Sequence, residues 1–198
     1  MARDLKPKWK KNRREKYSLY DNDKWKKRMS MPGEHPMSSG RPSGYAIRFR
    51  EKQKIKRIYG ILEKQFKRIF GIASKSKGNT GVKLLQLLEL RLDNVVYRLG
   101  IAPTRDGARQ LVTHGHVTVN DKKVDIPSYL LLVNDEIYIK KTDQSKDFIK
   151  LLSEAGKKNR IPKWLKGLSF GGKVVMEPLR EMLDPGINEQ LVVEYYSR

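Results

Sequence analysis

The chain has 198 residues, 43 Lys and Arg against 22 Asp and Glu, a formal net charge of +21 and 38% hydrophobic residues. That length suits one ordinary domain or two small ones, and so large a positive surplus implies a polyanionic partner. The absence of cysteine excludes disulfides, thiolate nucleophiles and the common zinc-finger ligand sets. No apolar run approaches the ~20 residues of a membrane-spanning helix, and no apolar signal core follows the basic start, so a soluble, cytoplasmic protein with no membrane partner is expected. Met1 to Lys83 carries 25 basic residues against 7 acidic, and Leu84 to Arg198 carries 18 against 15. The N-terminal part therefore supplies most of the attraction.

Residues 1–42 show no sustained apolar periodicity. Lys6, Lys8, Lys10, Lys11, Arg13 and Arg14 crowd together, and Pro32-Gly33 and Arg41-Pro42-Ser43-Gly44 mark turns. We read an extended basic arm, disordered until RNA orders it, whose Trp9, Tyr17, Tyr20 and Trp25 either stack on unpaired bases or pack locally. From Tyr45 to Phe70 the residues Ile55, Ile58, Tyr59, Leu62, Phe66, Ile69 and Phe70 recur at spacings of three and four, which predicts a helical face that Gly60 bends or divides. Arg48, Lys52 and Lys56, with Arg50, Lys54 and Arg57, step along the other side as a cationic stripe suited to a phosphate backbone. Ser74 to Gly81 is a polar linker. Its Gly-Asn-Thr-Gly run is no phosphate loop, because Lys83 is not followed by Ser or Thr and no strand precedes it.

Leu84 to Leu99 reads as one amphipathic helix closed by Gly100, and a shorter helix follows, capped by Thr104 and stopped by Gly115. Its outer face carries Arg105 and Arg109. Val117-Thr118-Val119, a turn at Asn120-Asp121, Lys122-Lys123-Val124, a turn at Asn134-Asp135 and Ile137-Tyr138-Ile139 predict a small antiparallel sheet. The fold class is α+β. Arg105, Arg109, His114, His116, Lys122 and Lys123 gather in one short stretch, and the first two with the two lysines are expected on phosphates. His114 and His116 lack a third ligand at suitable spacing, so no metal is expected. Trp164, Leu165, Leu168 and Phe170 read as apolar anchors of a connecting segment. Glu177, Glu181, Asp184, Glu189 and Glu194 would repel RNA and suit a basic protein neighbour.

The run Arg91-Leu92-Asp93-Asn94-Val95-Val96-Tyr97-Arg98-Leu99-Gly100, then Thr104-Arg105, then Ala108-Arg109-Gln110-Leu111-Val112-Thr113-His114-Gly115-His116, then Val119-Asn120 and Lys122-Lys123-Val124, resembles the small RNA-binding module named after the fourth small-subunit ribosomal protein, the S-four module. That module also occurs in pseudouridine synthases, tyrosyl-tRNA synthetases and small heat-shock proteins. The flanks decide. Arg50-Glu51-Lys52-Gln53-Lys54, Arg57-Ile58-Tyr59-Gly60 and the closing Ile187 to Arg198 are similar to the bacterial-type S-four ribosomal family, here in a cysteine-free form.

The resemblance implies a helical rRNA-binding domain from residues 43–89 with 176–198, an inserted module at 90–155 and a connection at 156–175. It further implies a ribosomal protein of the small subunit that binds its rRNA directly, early in assembly, near a multi-helix junction, and contacts neighbouring proteins, especially protein five, with influence on translational accuracy. On this reading Lys8, Lys10, Lys11, Arg13, Arg14, Arg48, Arg50, Lys52, Lys54, Arg57, Arg105, Arg109, His114, His116, Lys122 and Lys123 meet RNA, and Glu177, Glu181, Glu189 and Glu194 meet protein. An enzyme would need a catalytic domain, and no nucleophile, base and orienting group stand together, so neither catalysis, cofactor nor small-molecule substrate is expected. Arg91-Leu92-Asp93 lacks the preceding Gly of the synthase loop, and Asp93 is expected as a helix-surface carboxylate near Arg91 and Arg98. A non-specific nucleic-acid compactor would lack two differently charged ordered parts. The apolar Leu191, Val192, Val193, Tyr195 and Tyr196 are expected to complete the first domain, with the module at Leu84 to Lys141 folding alone.

Overall fold

The computed structural model describes residues 7–20, 23–28, 30–34, 41–144, 147–156 and 161–197. Lys6, Arg198 and residues 157–160, which figure in the reading above, lie outside them. In chain order the helices are α1 (Lys8–Glu15), α2 (Gly44–Ile58), α3 (Glu63–Lys75), α4 (Thr80–Glu89), α5 (Leu92–Arg98), α6 (Arg105–Thr113), α7 (Lys141–Gln144), α8 (Asp147–Gly156) and α9 (Glu189–Tyr196). The strands are β1 (Val117–Val119), β2 (Lys122–Lys123), β3 (Glu136–Ile139), β4 (Leu165–Leu168) and β5 (Gly171–Val174). They divide between unit 1, Met1–Gly81 with Pro185–Arg198, and unit 2, Val82–Asp184. The α+β class holds. No described helix is long and apolar enough to cross a membrane.

In unit 1 the Ser43 hydroxyl accepts from Ala46 N at 3.2 Å and starts α2. Gly60 takes φ +61°, and Ile61 N donates back to Lys56 O at 3.0 Å, so the long helical run ends and restarts as α3. Ile55, Ile58, Phe66, Ile69 and Ala73 are buried from these two helices. The returning α9 packs on α2, burying Val192 and seating the Tyr196 ring 4.5 Å from Phe70 and 6.1 Å from Phe66.

The arm departs from its expected extended form. It holds α1 and a 3₁₀ turn at Asp23–Lys27, with Lys11, Asn12, Leu19 and Trp25 buried. Trp25 is therefore withdrawn from stacking on RNA. The physical reason is a partner: Glu15 receives Arg50 and Arg57 of α2, which offsets the self-repulsion of the basic segment. Burial pushes the Glu15 carboxyl above its ordinary range, with Arg57 and then Arg50 pulling the other way.

Unit 2 carries a five-stranded antiparallel sheet in the order β2-β1-β3-β5-β4. Alternation sends Val117, Val119, Ile137, Ile139, Leu165 and Val174 into a core shared with Leu92, Val95, Val96, Ala108, Leu111 and Val112. Two sequence expectations change here. The segment at 156–175 is more than a connection, since it supplies β4 and β5, and Trp164 and Leu165 join this core rather than anchoring a return. The single helix over Leu84 to Leu99 is two helices. Leu131 N donates to Leu90 O at 3.0 Å and Leu92 N to Tyr129 O at 2.9 Å, so backbone groups from the 127–131 loop replace the helical ladder where α4 would run into α5.

Candidate nucleic-acid interface

The helix α6 begins as its sequence dictates, with Thr104 Oγ1 accepting from Gly107 N at 3.1 Å. It ends at Gly115, φ +72°, where His116 N reaches Leu111 O at 3.1 Å. The β1–β2 hairpin turns through Asn120 and Asp121, both at positive φ, and carries Lys122 and Lys123 exposed on its return strand. Asn120 donates to Asp135 Oδ1 at 2.8 Å and accepts from Glu136 N at 3.0 Å, which fixes the hairpin against β3.

Arg105 and Arg109 do not share one fate. Arg105 is half-buried, its Nε donating to Asn94 Oδ1 at 2.9 Å and its guanidinium lying 4.4 Å from the Tyr97 ring centroid. Asn94 is itself held by the fully buried Glu89 at 2.6 Å, and Glu89 takes Arg98 through both oxygens, at 2.7 and 3.1 Å. Arg109 turns inward to Asp93, 2.6 Å from Oδ2, and only 8% of it is exposed. Asp93 is thus no surface carboxylate. It is buried between Arg91 and Arg109, while Arg98 goes to Glu89 instead. An Arg committed to a buried carboxylate has little to offer a phosphate, so Arg109 moves from the binding surface to the core.

His114 is exposed at the end of α6, and His116 is half-buried with Nδ1 2.8 Å from Asp143 Oδ2 and its ring edge-on to Phe148. The described residues hold no group of three or more His, Cys, Asp and Glu able to bind a metal.

In unit 1 the cationic stripe of α2 is real but occupied. Arg48 meets Glu194 at 2.7 Å, Arg50 and Arg57 meet Glu15, Lys52 and Lys56 meet Glu63 at 2.7 and 3.0 Å, and Lys54 meets Glu51 at 2.8 Å. Lys52 is also buried, with its ammonium 4.4 Å from the Tyr195 ring centroid. In α1, Lys8 lies over Tyr20, Lys11 is buried, Lys10 is exposed, and Arg13 and Arg14 donate to backbone oxygens of Ser30 and Pro32. The acidic set divides: Glu177 and Glu181 are exposed in unit 2, Glu177 with Lys83 at 3.2 Å, while Glu189 and Glu194 belong to α9 in unit 1. An open cavity of about 390 Å³ in unit 1 is lined by Tyr45, Arg48, Lys67, Tyr195 and Tyr196.

Residues missed from sequence include Asn94 and Glu89, which hold Arg105 and Arg98 in place. Their signal was their place among the leucines and valines of 84–99, where Leu88, Leu90 and Val95 flank them directly.

Comparison with known proteins matches the ribosomal protein S4/S9 N-terminal domain to residues 3–89 and the S4 domain to residues 90–137. The small ribosomal subunit protein uS4 of Herpetosiphon aurantiacus is 53% identical over 174 residues, covering 84% of this chain and 82% of that one. The uS4 of Roseiflexus castenholzii is 51% identical over 178 residues, covering 87% and 86%. That of Clostridium tetani is 46% identical over 196 residues, covering 94% of each. With both its helical part and its RNA-binding module accounted for in this way, the chain belongs to the uS4 family of small ribosomal subunit proteins, a family of structural proteins and not of enzymes.

Proposed function

We propose that this protein binds small-subunit rRNA directly and nucleates assembly of the subunit body, in the cytoplasm, near a multi-helix junction. The observation that carries the reading is an S4 domain that presents the exposed hairpin lysines Lys122 and Lys123 and, at the start of α6, an Arg105 already fixed by Asn94 and Tyr97. A side chain held before binding loses less freedom on meeting a phosphate. His114, exposed nearby, adds a donor, as do Lys8, Lys10, Arg13 and Arg14 of the arm. The exposed Glu177, Glu181 and Glu194 suit a basic protein neighbour, protein five among them, and through that contact the protein influences translational accuracy. The helical unit 1 serves as the rRNA-binding domain, and the module, with β4 and β5 in its sheet, is the unit inserted in its sequence at Val82–Asp184.

The test is reconstitution on purified bacterial small-subunit rRNA with no other protein present. Saturable binding that survives excess duplex DNA, and loss of later proteins from particles assembled without this chain, are the expected results. Binding only after other proteins have assembled would remove the nucleating role.

A further inference from the structure

The cations of α2 that look most like a phosphate track are all paired with carboxylates. The helix after it carries a track that is not. On α3, Lys64, Lys67, Arg68 and Lys75 are exposed, and none has a carboxylate partner among the described residues. Their spacings of three, four and seven set them on one side of the helix, opposite the buried Phe66, Ile69 and Ala73. The one carboxylate of α3, Glu63, points away to Lys52, Lys56 and Tyr196. Gly71 sits between Arg68 and Lys75, and a Cβ there would meet nothing within 4 Å, so the middle of the track is open down to the backbone. From Lys64 to Lys75 the helix rises about 16 Å, enough to follow a run of phosphates.

We infer that this outer face of α3 is a second RNA contact of the protein, one that grips the phosphate backbone of a helical RNA segment without reading its bases. The inference rests on the rRNA-binding reading above and names a site for it. Helical rather than single-stranded RNA is favoured because α3 itself offers no aromatic ring on this face: Phe66 is buried, Phe70 packs tilted against Tyr196, and of the four cations Lys67 alone shares the cavity lined by the exposed Tyr45. Single-strand binding draws on stacked rings, whereas a duplex backbone asks only for spaced cations. Unlike the buried Arg109 and Lys52, the four side chains are exposed and hold no carboxylate among the described residues.

The experiment compares the full chain with a Lys64→Ala, Lys67→Ala, Arg68→Ala, Lys75→Ala variant on purified small-subunit rRNA across a salt series. The slope of log affinity against log salt should fall by about three to four, at roughly 0.9 per phosphate contact. The thermal midpoint should stay at the wild-type value, since all four positions are exposed. A Lys64→Arg, Lys67→Arg, Lys75→Arg variant should keep the wild-type slope, and the quadruple variant should lose the same fraction of affinity for duplex RNA of scrambled sequence. If wild type binds rRNA and the quadruple variant shows the same slope, the site is overturned and its charge belongs to a protein neighbour or to solvent, while the rRNA reading stands. If wild type itself fails to bind the rRNA, both fall together.

Discussion

Arg109 places two nitrogens on a single oxygen of Asp93, Nε at 2.8 Å and Nη2 at 2.6 Å from Oδ2. Arg91 closes the other side, with Nε 3.1 Å from Oδ1 and Nη2 2.9 Å from Oδ2. One buried carboxylate thus ties the start of α5 to α6. Asp93→Ala leaves two buried guanidinium groups without their anion and should cost unit 2 roughly 3–5 kcal/mol in a denaturant titration. Arg109→Ala should also lower stability yet leave the salt slope of rRNA binding unchanged. A reduced slope in Arg109→Ala would return that residue to the binding surface.

Lys122→Ala with Lys123→Ala should do the reverse. Both side chains are exposed on β2, so the melting temperature should hold while the salt slope drops by about two. Lys123 does drape over Gly115, and a loss of stability without a change in slope would make it a packing residue.

Burial on its own would raise the Glu63 carboxyl, but hydrogen bonds from Lys52, Tyr196 and Lys56 outweigh it and hold the pKa at about 2, against an ordinary 4.5. A folded value below the unfolded one means stabilisation that is complete above about 4.5 and is lost as pH falls toward 2. Glu63→Gln should therefore lower the stability of unit 1 at neutral pH and flatten its acid-unfolding profile within that window. An acid limb identical to wild type would mean that the ion pairs of Glu63 contribute nothing to folding.

Deleting residues 191–198 removes Val192, which is fully buried, and the Tyr196 hydroxyl that donates to Glu63 at 2.8 Å. Burial of these side chains contributes roughly 3–6 kcal/mol, so the thermal midpoint of unit 1 should fall by several degrees. Unit 2 should be untouched. Calorimetry of the truncated chain decides it, and an unshifted unit 1 transition would make α9 dispensable.

A fragment ending at Lys141 should not fold cooperatively, contrary to what the module boundary in the sequence suggests. It lacks β5, which pairs with β3 through Glu136↔Lys173 and Ile137↔Gly172, and it lacks Trp164, Leu165 and Val174 from the core. A fragment of residues 82–184 should show a single sharp transition. Well-dispersed amide signals from the shorter fragment would prove the outer strands accessory.

Caps and turns are legible in the sequence because their causes are local. The Thr104 cap, the glycine ends at Gly60, Gly100 and Gly115 and the Asn120-Asp121 turn each depend on a few neighbouring residues, and each stands where its sequence puts it. Two of the departures have one cause, a partner distant in sequence. Arg48 is neutralised by a carboxylate 146 residues away and Arg57 by one 42 residues away, so a bare stripe of cations on paper is a laced one in the fold. The break at Leu90 and Arg91 needs the 127–131 backbone, which no periodicity in α4 or α5 announces. A third has a local cause: Gly167, Gly171 and Gly172 blur the alternation, so the sequence of β4 and β5 reads as a connection. Those glycines are there for space: a Cβ at Gly172 would run into Leu99 of the core.

The pairing of Glu63 with Tyr196 spans 133 residues, with all of unit 2 in between. A nascent chain grows at about 5–20 residues per second, so α2 and α3 emerge many seconds before α9 can cover them. During that interval Arg48 has no Glu194, and the Phe66 and Phe70 rings have no Tyr196. All of unit 2 is made before α9, although it starts later. The half of the protein made earliest is the last to be finished, and through most of its synthesis it presents an uncovered apolar face and an extra cation to whatever RNA or chaperone is near.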